Sequence, residues 1–325
     1  MAKNRYNVWS KPNTPEPPPD GHGVYSAAHR LTSGEYCLID HQPKFQFGQD
    51  TSFFPIGSCF VTHIAESLTA RGYEVLTNRL RIGTEHFPDP QYNYENDIAL
   101  IKFTPHSMLN EIQVNVDGRE LPEHGLIDLQ NGKYWNPQLH KILPAPLDVS
   151  LDIQERVRAT VSSITEADVV FITLGLTETW FDTRLGIALN ENPLVLRELR
   201  RESGKGRFEF RNVGYEETMD CLNELLNLVR DKSTKEVKFV LTVSPIPLVR
   251  TFTDRDIITA NTFSKSVLRA AAQTLADKHD WVDYFPSFEI VLNSPRELAW
   301  RHNQRHVQSG MVDYIMQTFI GKYLK

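Results

Sequence analysis

The sequence has few cysteines and no long apolar segment. Three cysteines in 325 residues cannot form a disulfide framework in a chain of this size, which favours a reducing, cytoplasmic environment. No apolar run approaches the roughly 20 residues of a membrane span, and the opening residues contain no apolar core of a secretion signal. We therefore expect a cytoplasmic protein without a membrane-spanning segment.

Positive charge is also scarce. The chain has 35 Lys and Arg residues against 41 Asp and Glu residues, a formal net charge of −6, and it contains no basic run or stripe. Nucleic-acid-binding domains usually present such a basic patch, so nucleic acid is not an expected partner.

The chain is long enough to fold around a core of its own. With 325 residues, 40% of them hydrophobic, it can bury a sizeable core in one large domain or two smaller ones.

The first 50 residues differ in composition from the remainder. Five prolines lie between Lys11 and Asp20, and a segment this rich in proline cannot be helical. The sequence therefore predicts an extended N-terminal arm over residues 1–50, followed by one folded domain over residues 51–325.

The folded part opens with a strand, a glycine turn and a helix. A short apolar run ends at Ile56 and is broken by Gly57. Apolar residues then recur at the spacing of one helix face, at Phe60, Val61, Ile64, Ala65 and Leu68. Ser58 and Cys59 lie at the turn, where the first N–H groups of a helix stabilise a thiolate or an alkoxide. The turn is therefore a suitable place for a nucleophile.

Further strands and helices alternate along the chain. Strands are predicted at 73–76, 168–173, 237–243 and 281–284, and helices at 96–112, 151–165, 215–230, 256–279 and 306–322. Such alternation predicts an α/β fold with a mostly parallel sheet covered on both faces. An Asp-Gly pair at 117–118 and an Asn-Gly pair at 131–132 predict hairpins inserted at about residues 113–146.

The loops that follow the strands are the expected location of the chemistry. In open parallel sheets, ligands bind beyond the carboxyl ends of the strands. The loops in that position are 57–59, 77–95, 174–186 and 244–256, and a further loop at 293–305 precedes the last helix.

Four stretches of the sequence carry a resemblance to a known family. They are Gly57-Ser58-Cys59-Phe60-Val61, Thr173-Leu174-Gly175-Leu176-Thr177-Glu178-Thr179-Trp180, Leu241-Thr242-Val243-Ser244-Pro245 and Tyr284-Phe285-Pro286-Ser287-Phe288-Glu289. With these blocks the chain resembles the GSCFA family, a distant branch of the SGNH/GDSL hydrolases, over roughly residues 50–320. The resemblance implies a three-layer α/β/α, flavodoxin-like fold and acyl-transfer chemistry.

The resemblance also implies a catalytic triad. The SGNH pattern places a nucleophile after the first strand and an Asp-x-x-His motif near the C-terminus. Aligning the first block with Gly-Asp-Ser puts Cys59 at the nucleophile position, with Ser58 as the alternative. In the tail, His306 matches the base and Asn303 replaces the carboxylate, and this motif is expected to open the last helix.

Residue chemistry favours Cys59 over Ser58 as the nucleophile. In a serine protease, changing the triad carboxylate to an amide lowers the rate by about 10⁴. A thiol ionises more readily, because a helix N-terminus and a nearby histidine can lower its pKa to roughly 3.5–7.5. Two structural roles stay open. Cys59 could be a small buried side chain, and Ser58 could cap the helix or bond a neighbouring strand loop.

The same resemblance implies the oxyanion and substrate contacts. The backbone N–H groups of Cys59 and Gly83 are the implied oxyanion donors. Gly175, Thr177 and Glu178 lie in the block that replaces the family's Gly-x-Asn-Asp pattern, so Thr177 would supply a hydroxyl in place of an amide. Glu178 either ends a strand or holds a loop at the site by hydrogen bonds.

Together these residues predict an acyl-transfer enzyme. Hydrolysis of a small or glycan-linked acyl ester or thioester is the leading prediction. The alternatives are an O-acyltransferase with a saccharide acceptor and a non-catalytic glycan- or ligand-binding module on the same fold. No cofactor is expected beyond a CoA thioester as acyl donor. No metal is expected either, because His302 and His306 would need a Glu at position 303, where Asn stands.

Overall fold

The structure is a computed structural model that describes residues 9, 26–32, 34–89, 96–200 and 204–325. Within these residues the strands are β1 (Ser52–Gly57), β2 (Glu74–Val75), β3 (Ile127–Asp128), β4 (Tyr134–Trp135), β5 (Val169–Leu174), β6 (Glu178–Asp182), β7 (Ile187–Leu189), β8 (Phe208–Asn212), β9 (Lys238–Val243) and β10 (Val282–Tyr284). The helices are α1 (Ala27–Thr32), α2 (Phe60–Thr69), α3 (Pro105–Asn115), α4 (Leu147–Ser162), α5 (Tyr215–Lys232), α6 (Ile257–Lys278), α7 (Ser287–Leu292), α8 (Arg296–Ala299) and α9 (Ser309–Tyr323). In this part of the chain, no helix is long and apolar enough to cross a membrane.

A parallel sheet of five strands, in the order β2–β1–β5–β9–β10, is the centre of the described fold. Every neighbouring pair in it is parallel. This is the strand order of flavodoxin-like folds, so the predicted α/β class is confirmed. The direction of the strand order reverses between β1 and β5, and ligands of such sheets bind beyond the strand ends at this switch point. Gly57 at the end of β1 pairs there with Thr173 of β5.

The central strands are buried along their whole length. All residues of β1 and β5 are buried, and so are all residues of β9 after its first. A strand covered on both faces has a continuous apolar sequence, which explains why these strands were predictable. Right-handed crossovers place α2 on one face and the helices before β5, β9 and β10 on the other. Accordingly, α2 packs against β1 and β2, while α6 packs against β9 and β10.

The helix predicted at 96–112 is wrong in its boundaries. A 3₁₀ turn occupies Asn96–Leu100, and α3 begins only at Pro105. Proline lacks an N–H and fits the first position of a helix, where that group would have no partner. Thr104 and Ser107 complete a capping box, because the Thr104 hydroxyl accepts from the Ser107 N–H at 3.2 Å and the Ser107 hydroxyl accepts from the Thr104 N–H at 3.3 Å. The helix therefore begins at Pro105, inside the range in which the sequence predicted an uninterrupted helix.

Two small antiparallel sheets lie outside the central sheet. The predicted loop 174–186 contains β6, which is the middle strand of a sheet of order β7–β6–β8. The insertion at about 113–146 contains the antiparallel pair β3–β4. Buried apolar side chains from both small sheets form one hydrophobic cluster that includes Ile127, Trp135, Ile187 and Phe208. The insertion and the β6 sheet therefore stabilise one another.

The chain divides into two compact units. The larger unit comprises Gly48–Ser244 and Leu248–Tyr284 and contains the three sheets. The smaller comprises Met1–Phe47, Pro245–Pro247 and Phe285–Lys325.

Within the smaller unit, backbone pairing joins Phe47 to the C-terminal end of the chain. Phe47 forms a parallel bridge with Leu324, and the rings of Phe47 and Tyr323 stack at 5.9 Å. The arm predicted over residues 1–50 stays a prediction, and its proline-rich segment lies outside the described residues.

Candidate active site

The turn between β1 and α2 is fixed by strands on both sides. Gly57 has a φ of +135°, and a Cβ atom added to it would lie 2.2 Å from the Thr173 carbonyl oxygen. Only glycine fits such a position. The Ser58 N–H donates to that same carbonyl at 3.0 Å, and the Lys102 N–H donates to the Gly57 carbonyl at 2.8 Å. The residues after the turn are therefore held at the switch point of the sheet.

Ser58 is buried beneath this turn. The Thr173 hydroxyl donates its proton to the Ser58 carbonyl oxygen at 3.0 Å. The Ser58 hydroxyl, 3.5 Å from the Thr173 hydroxyl oxygen, must then be the donor of that longer contact. The N-cap of α2 is Cys59 rather than Ser58. Ser58 thus has the role of bonding a neighbouring strand, one of the two structural roles considered from the sequence.

Cys59 is half-exposed at the amino end of α2. The buried face of this helix comprises the five apolar residues that the sequence predicted. The other two thiols, Cys37 and Cys221, are buried, and burial raises the pKa of both. Of the three cysteines, Cys59 is therefore the one that solution reagents and substrates can reach. Its helix N-terminus favours negative charge on the sulfur.

Gly175 brings the loop after β5 against the nucleophile turn. A Cβ atom added to Gly175 would lie 2.6 Å from the Phe103 carbonyl oxygen and 3.0 Å from the Ser58 Cβ. The Leu176 N–H donates to the same Phe103 carbonyl at 2.7 Å. The close approach requires glycine, and it joins the loops that follow β1 and β5.

Thr177 uses both of its hydrogen-bond donors within this loop region. Its side chain is 1% exposed. Its N–H donates to the Ser264 hydroxyl at 3.0 Å, and its own hydroxyl donates to the Asn212 side-chain oxygen at 2.8 Å. The hydroxyl proton that the sequence assigned to an oxyanion is thus engaged by Asn212.

Glu178 holds the loop that follows β9. Its carboxylate accepts from the Thr251 hydroxyl at 2.5 Å and from the Phe252 N–H at 3.0 Å. This matches the second of the two roles considered for Glu178.

Gly83 lies in an exposed position immediately before a 3₁₀ turn, Thr84–His86. The segment bridged to Gly57 is instead the one at Ile101, which forms a parallel bridge with it. The oxyanion role of the Gly83 N–H stays a prediction.

Asn190, which the sequence analysis missed, fixes the segment beside the turn. Its side-chain oxygen accepts from the Phe103 N–H at 2.9 Å and from the Ser107 hydroxyl at 3.1 Å. Its amide nitrogen donates to the Ile101 carbonyl at 2.7 Å. A lone asparagine at the end of a short strand gives no sequence signal for such a role.

Lys265, on α6, is the second residue that the sequence analysis missed. Its side chain is fully buried, and its Nζ donates to the Gly175 carbonyl oxygen at 2.7 Å. Burial lowers the pKa of Lys265 to about 7, and a negative charge on Cys59 would oppose that shift. The signal for Lys265 was its place on the helix face that also buries Leu268 and Ala272, three and seven residues further on.

Asn303 and His306 contact each other within the smaller unit. The Asn303 side-chain oxygen accepts from the N–H groups of Arg305 at 3.1 Å and His306 at 3.0 Å. Its amide nitrogen therefore faces His306 Nδ1, at 2.8 Å. An amide nitrogen can only donate, so this contact requires a lone pair on Nδ1.

The surroundings of His306 also disfavour its charged form. Burial lowers its pKa, and the positive charges of Arg305 and Arg301 lower it further. Arg305 Nη1, which can also only donate, lies 3.0 Å from Nε2, so both ring nitrogens face hydrogen-bond donors. A triad base instead needs an acceptor at Nδ1. The stretch from Asn303 to His306 does not open the last helix, contrary to the prediction from the sequence. It lies between Trp300 and Val307, which form an antiparallel bridge, and α9 starts only at Ser309.

Cys59 belongs to the larger unit, and Asn303 and His306 belong to the smaller one. The triad that joins them stays a prediction. Among the residues that the structure describes, no group of three or more His, Cys, Asp and Glu side chains is placed to hold a metal ion.

Comparison with known proteins supports the family resemblance seen in the sequence. A family model described as the GSCFA family matches residues 52–319, and comparison with curated proteins gives no match. Among solved structures, the chain is similar to a Clostridium thermocellum family 3 carbohydrate esterase, with 11% identity, a TM-score of 0.35 and coverage of 84% of this chain and 94% of that one. It is also similar to a carbohydrate esterase family 3 structure from Talaromyces cellulolyticus, with 12% identity, a TM-score of 0.35 and coverage of 84% and 95%. Neither likeness determines an activity for this chain.

Proposed function

Because this chain belongs to the GSCFA family, we propose that it is an acyl-transfer enzyme of the SGNH/GDSL type with Cys59 as its nucleophile. The proposed activity is hydrolysis of a small acyl ester or thioester through a covalent acyl-enzyme. One observation carries the proposal: the half-exposed thiol stands at the amino end of α2, at the switch point of the parallel sheet.

The proposed reaction begins with attack of the Cys59 sulfur on the substrate carbonyl. Negative charge then develops on the carbonyl oxygen, and N–H groups at the amino end of α2 stabilise it. Collapse of this intermediate breaks the bond to the alkoxide or thiolate leaving group and leaves the acyl group on the sulfur as a thioester. Attack by water releases the acid and restores the cysteine.

The acceptor in the second half of the reaction distinguishes two activities. Water makes the protein a hydrolase, and a saccharide hydroxyl makes it an O-acyltransferase. Both share the acyl-enzyme, so the site on the larger unit serves either. A CoA thioester is the proposed acyl donor of the transferase, and a glycan-linked ester is a proposed substrate of the hydrolase.

A non-catalytic binding module is the second candidate function. The observation that favours it is the contact of Asn303 with His306, in which the amide presents a donor to Nδ1, where a triad base needs an acceptor. The engaged Thr177 hydroxyl also favours it. A binding module would retain the fold but form no covalent intermediate.

Intact mass spectrometry separates these candidates. The protein is incubated with p-nitrophenyl acetate or with acetyl-CoA and quenched in acid, which preserves a thioester. We expect an increase by the mass of one acetyl group, mapped by proteolysis to Cys59 and absent from Cys59→Ala. Cys221→Ala, which removes a buried thiol, is the matched control and should keep the adduct.

Other outcomes of the same experiment count against the proposal. An adduct that persists in Cys59→Ala and disappears in Ser58→Ala would make Ser58 the nucleophile. Absence of any adduct and of turnover with both donors, in protein whose Cys59 still reacts with iodoacetamide, would favour the binding module.

A further inference from the structure

Lys265 occupies an unusual environment for a lysine. The side chain is fully buried in the larger unit, and burying an ammonium group is costly unless an opposite charge compensates it. Lys102, which is also fully buried, has the Glu111 carboxylate at 2.9 Å. For Lys265, the group whose negative charge would stabilise the ammonium is Cys59.

The position of Lys265 is set by the backbone around the nucleophile. Its Nζ donates to the Gly175 carbonyl at 2.7 Å, and Gly175 packs against the Cβ of Ser58, the residue before Cys59. The preceding residue of α6, Ser264, accepts a hydrogen bond from the Thr177 N–H at 3.0 Å. Two consecutive residues of α6 thus hold the loop after β5 and direct the lysine toward the β1–α2 turn.

We propose that Lys265 holds Cys59 in its thiolate form, so that the buried ammonium on the Gly175 carbonyl is the positive charge that activates the nucleophile. The proton that leaves the Cys59 sulfur is the one that Lys265 carries, so thiol and amine become thiolate and ammonium without any external acid or base. Lys265 is a positioning residue in this proposal, acting through the sulfur. The inference rests on the proposed function only in that Cys59 is taken as the reactive group.

Reciprocity supports this pairing. A thiolate at Cys59 would raise the pKa of Lys265 against the effect of burial. By linkage, the ammonium must lower the pKa of the thiol through the same interaction free energy. The two groups therefore titrate as a coupled pair that shares one proton. The helix N-terminus adds to the effect, because it favours the same thiolate.

The pairing also accounts for the tail of the chain. A thiol activated by an ammonium needs no imidazole to remove its proton. The orientation of Asn303, which would be unfavourable for a triad base, then carries no penalty for forming the nucleophile.

The test is the pH dependence of Cys59 alkylation by iodoacetamide. Rates are followed by peptide mapping between pH 5 and 10, roughly the range over which shifted and ordinary thiols ionise. We expect the wild-type midpoint below the ordinary value of about 8.5. In Lys265→Met the midpoint should rise by about one unit or more, with alkylation at pH 7 slowed about tenfold. Lys278→Met, the same substitution at an exposed position of α6, should leave the midpoint unchanged.

Two results would overturn the inference. One is a wild-type midpoint at or above about 8.5, and the other is a Lys265→Met profile that coincides with the wild type. If Lys265→Met does not fold, the thiolate absorbance of wild type minus that of Cys59→Ala gives the midpoint directly. In Cys59→Ala, NMR of the Lys265 side chain should in turn show a lysine pKa lower than in the wild type.

The outcomes distinguish this inference from the proposed function. A shifted alkylation profile without any acyl-enzyme from esters or thioesters would leave the Lys265–Cys59 pair standing and reject the enzyme. An acyl-enzyme on Cys59 together with an unshifted Lys265→Met profile would keep the enzyme and reject the pair.

Discussion

Asn303 presents its amide nitrogen to His306, with Nδ2 at 2.8 Å from Nδ1. The amide oxygen is held by two backbone N–H groups, which prevents the reverse orientation. In Asn303→Asp one carboxylate oxygen can keep these donors while the other accepts from Nδ1. We therefore expect the ring of the variant to carry a proton on Nδ1 and the pKa of His306 to rise by about one unit or more.

This first prediction is checked by ¹⁵N NMR of the imidazole across pH. Asn293→Asp, at an exposed asparagine of the same unit, is the control and should leave the His306 ring unchanged. Absence of a proton on Nδ1 in Asn303→Asp would show that the contact between the two side chains does not persist in solution.

The second prediction concerns the glycine of the nucleophile turn. Gly57→Ala places a Cβ atom 2.2 Å from the Thr173 carbonyl oxygen at a φ of +135°. Strain and displacement of two buried strands should lower the free energy of unfolding by about 3 kcal/mol or more. Urea denaturation measures this loss. Gly214→Ala, at a negative φ with nothing within 4 Å, should change stability by less than about 1 kcal/mol.

The third prediction concerns stability against pH. The pKa of Lys265 is lowered to about 7 in the folded chain, whereas an unfolded lysine has a pKa of about 10.4. Between these values the unfolded state binds more protons, so the free energy of unfolding rises with pH. Below about pH 7 Lys265 is protonated in both the folded and the unfolded state, so it adds nothing to the pH dependence of the free energy of unfolding.

Urea denaturation of Cys59→Ala and of the double variant Cys59→Ala/Lys265→Met from pH 6 to 10 isolates the effect of Lys265, because neither protein carries the thiol that titrates together with it. The stability of Cys59→Ala relative to the double variant should increase across this window, by at most about 1.4 kcal/mol per pH unit. Taking the difference removes the opposite trend of Cys221, whose pKa is raised by burial in both proteins. A difference that is flat with pH would mean that Lys265 keeps an ordinary pKa.

The fourth prediction concerns the buried ion pair beside the turn. Lys102 Nζ lies 2.9 Å from the Glu111 carboxylate, and both side chains are at most 3% exposed. Glu111→Gln leaves the lysine charge buried without an opposite charge and should cost about 3–5 kcal/mol. Adding Lys102→Met removes that charge and should recover part of the loss.

An exposed ion pair serves as the control for this buried one. Lys232 and Asp117 are 2.7 Å apart and 45% exposed each, so Asp117→Asn should cost less than about 1 kcal/mol in the same denaturation experiment. Equal losses at the two sites would contradict the role assigned to burial.

The fifth prediction concerns the acyl donor. A thiolate exchanges easily with another thiolate leaving group of similar pKa, whereas an alkyl alkoxide is a far stronger base and needs a proton to leave. If Lys265 pre-forms the thiolate, acylation of Cys59 should be faster with acetyl-CoA than with ethyl acetate at equal concentration. Mass spectrometry of samples quenched in acid at successive times measures both acylation rates. Equal rates would indicate a positioned acid at the site.

The sequence predicted most of the fold where local pattern and burial agree. The apolar face of α2 and the helices at 215–230 and 256–279 follow the helical period, and the structure confirms them within a few residues. The prediction of a helix over 96–112 was wrong because Pro105 and the Thr104 cap start a helix within that apolar pattern. The strand β6 was missed because its burial does not alternate, being set by a small sheet formed with distant segments.

The candidate site was predictable only in part. The motif located Cys59 at a helix N-terminus, and the structure places it there. Lys265 was not found, because its role depends on the Gly175 carbonyl, which lies 90 residues earlier in the chain. The orientation of Asn303 was equally inaccessible, because backbone donors set it and no residue pattern reveals them.

The unequal exposure of the three cysteines has a consequence for damage and repair. If Cys59 holds the proposed thiolate, it is the cysteine most open to peroxide, which converts a thiolate to sulfenic acid. Because Cys37 and Cys221 are buried, neither is available at the surface to resolve such a lesion as an internal disulfide. Recovery of an oxidised Cys59 would therefore depend on a small thiol such as glutathione arriving from solution.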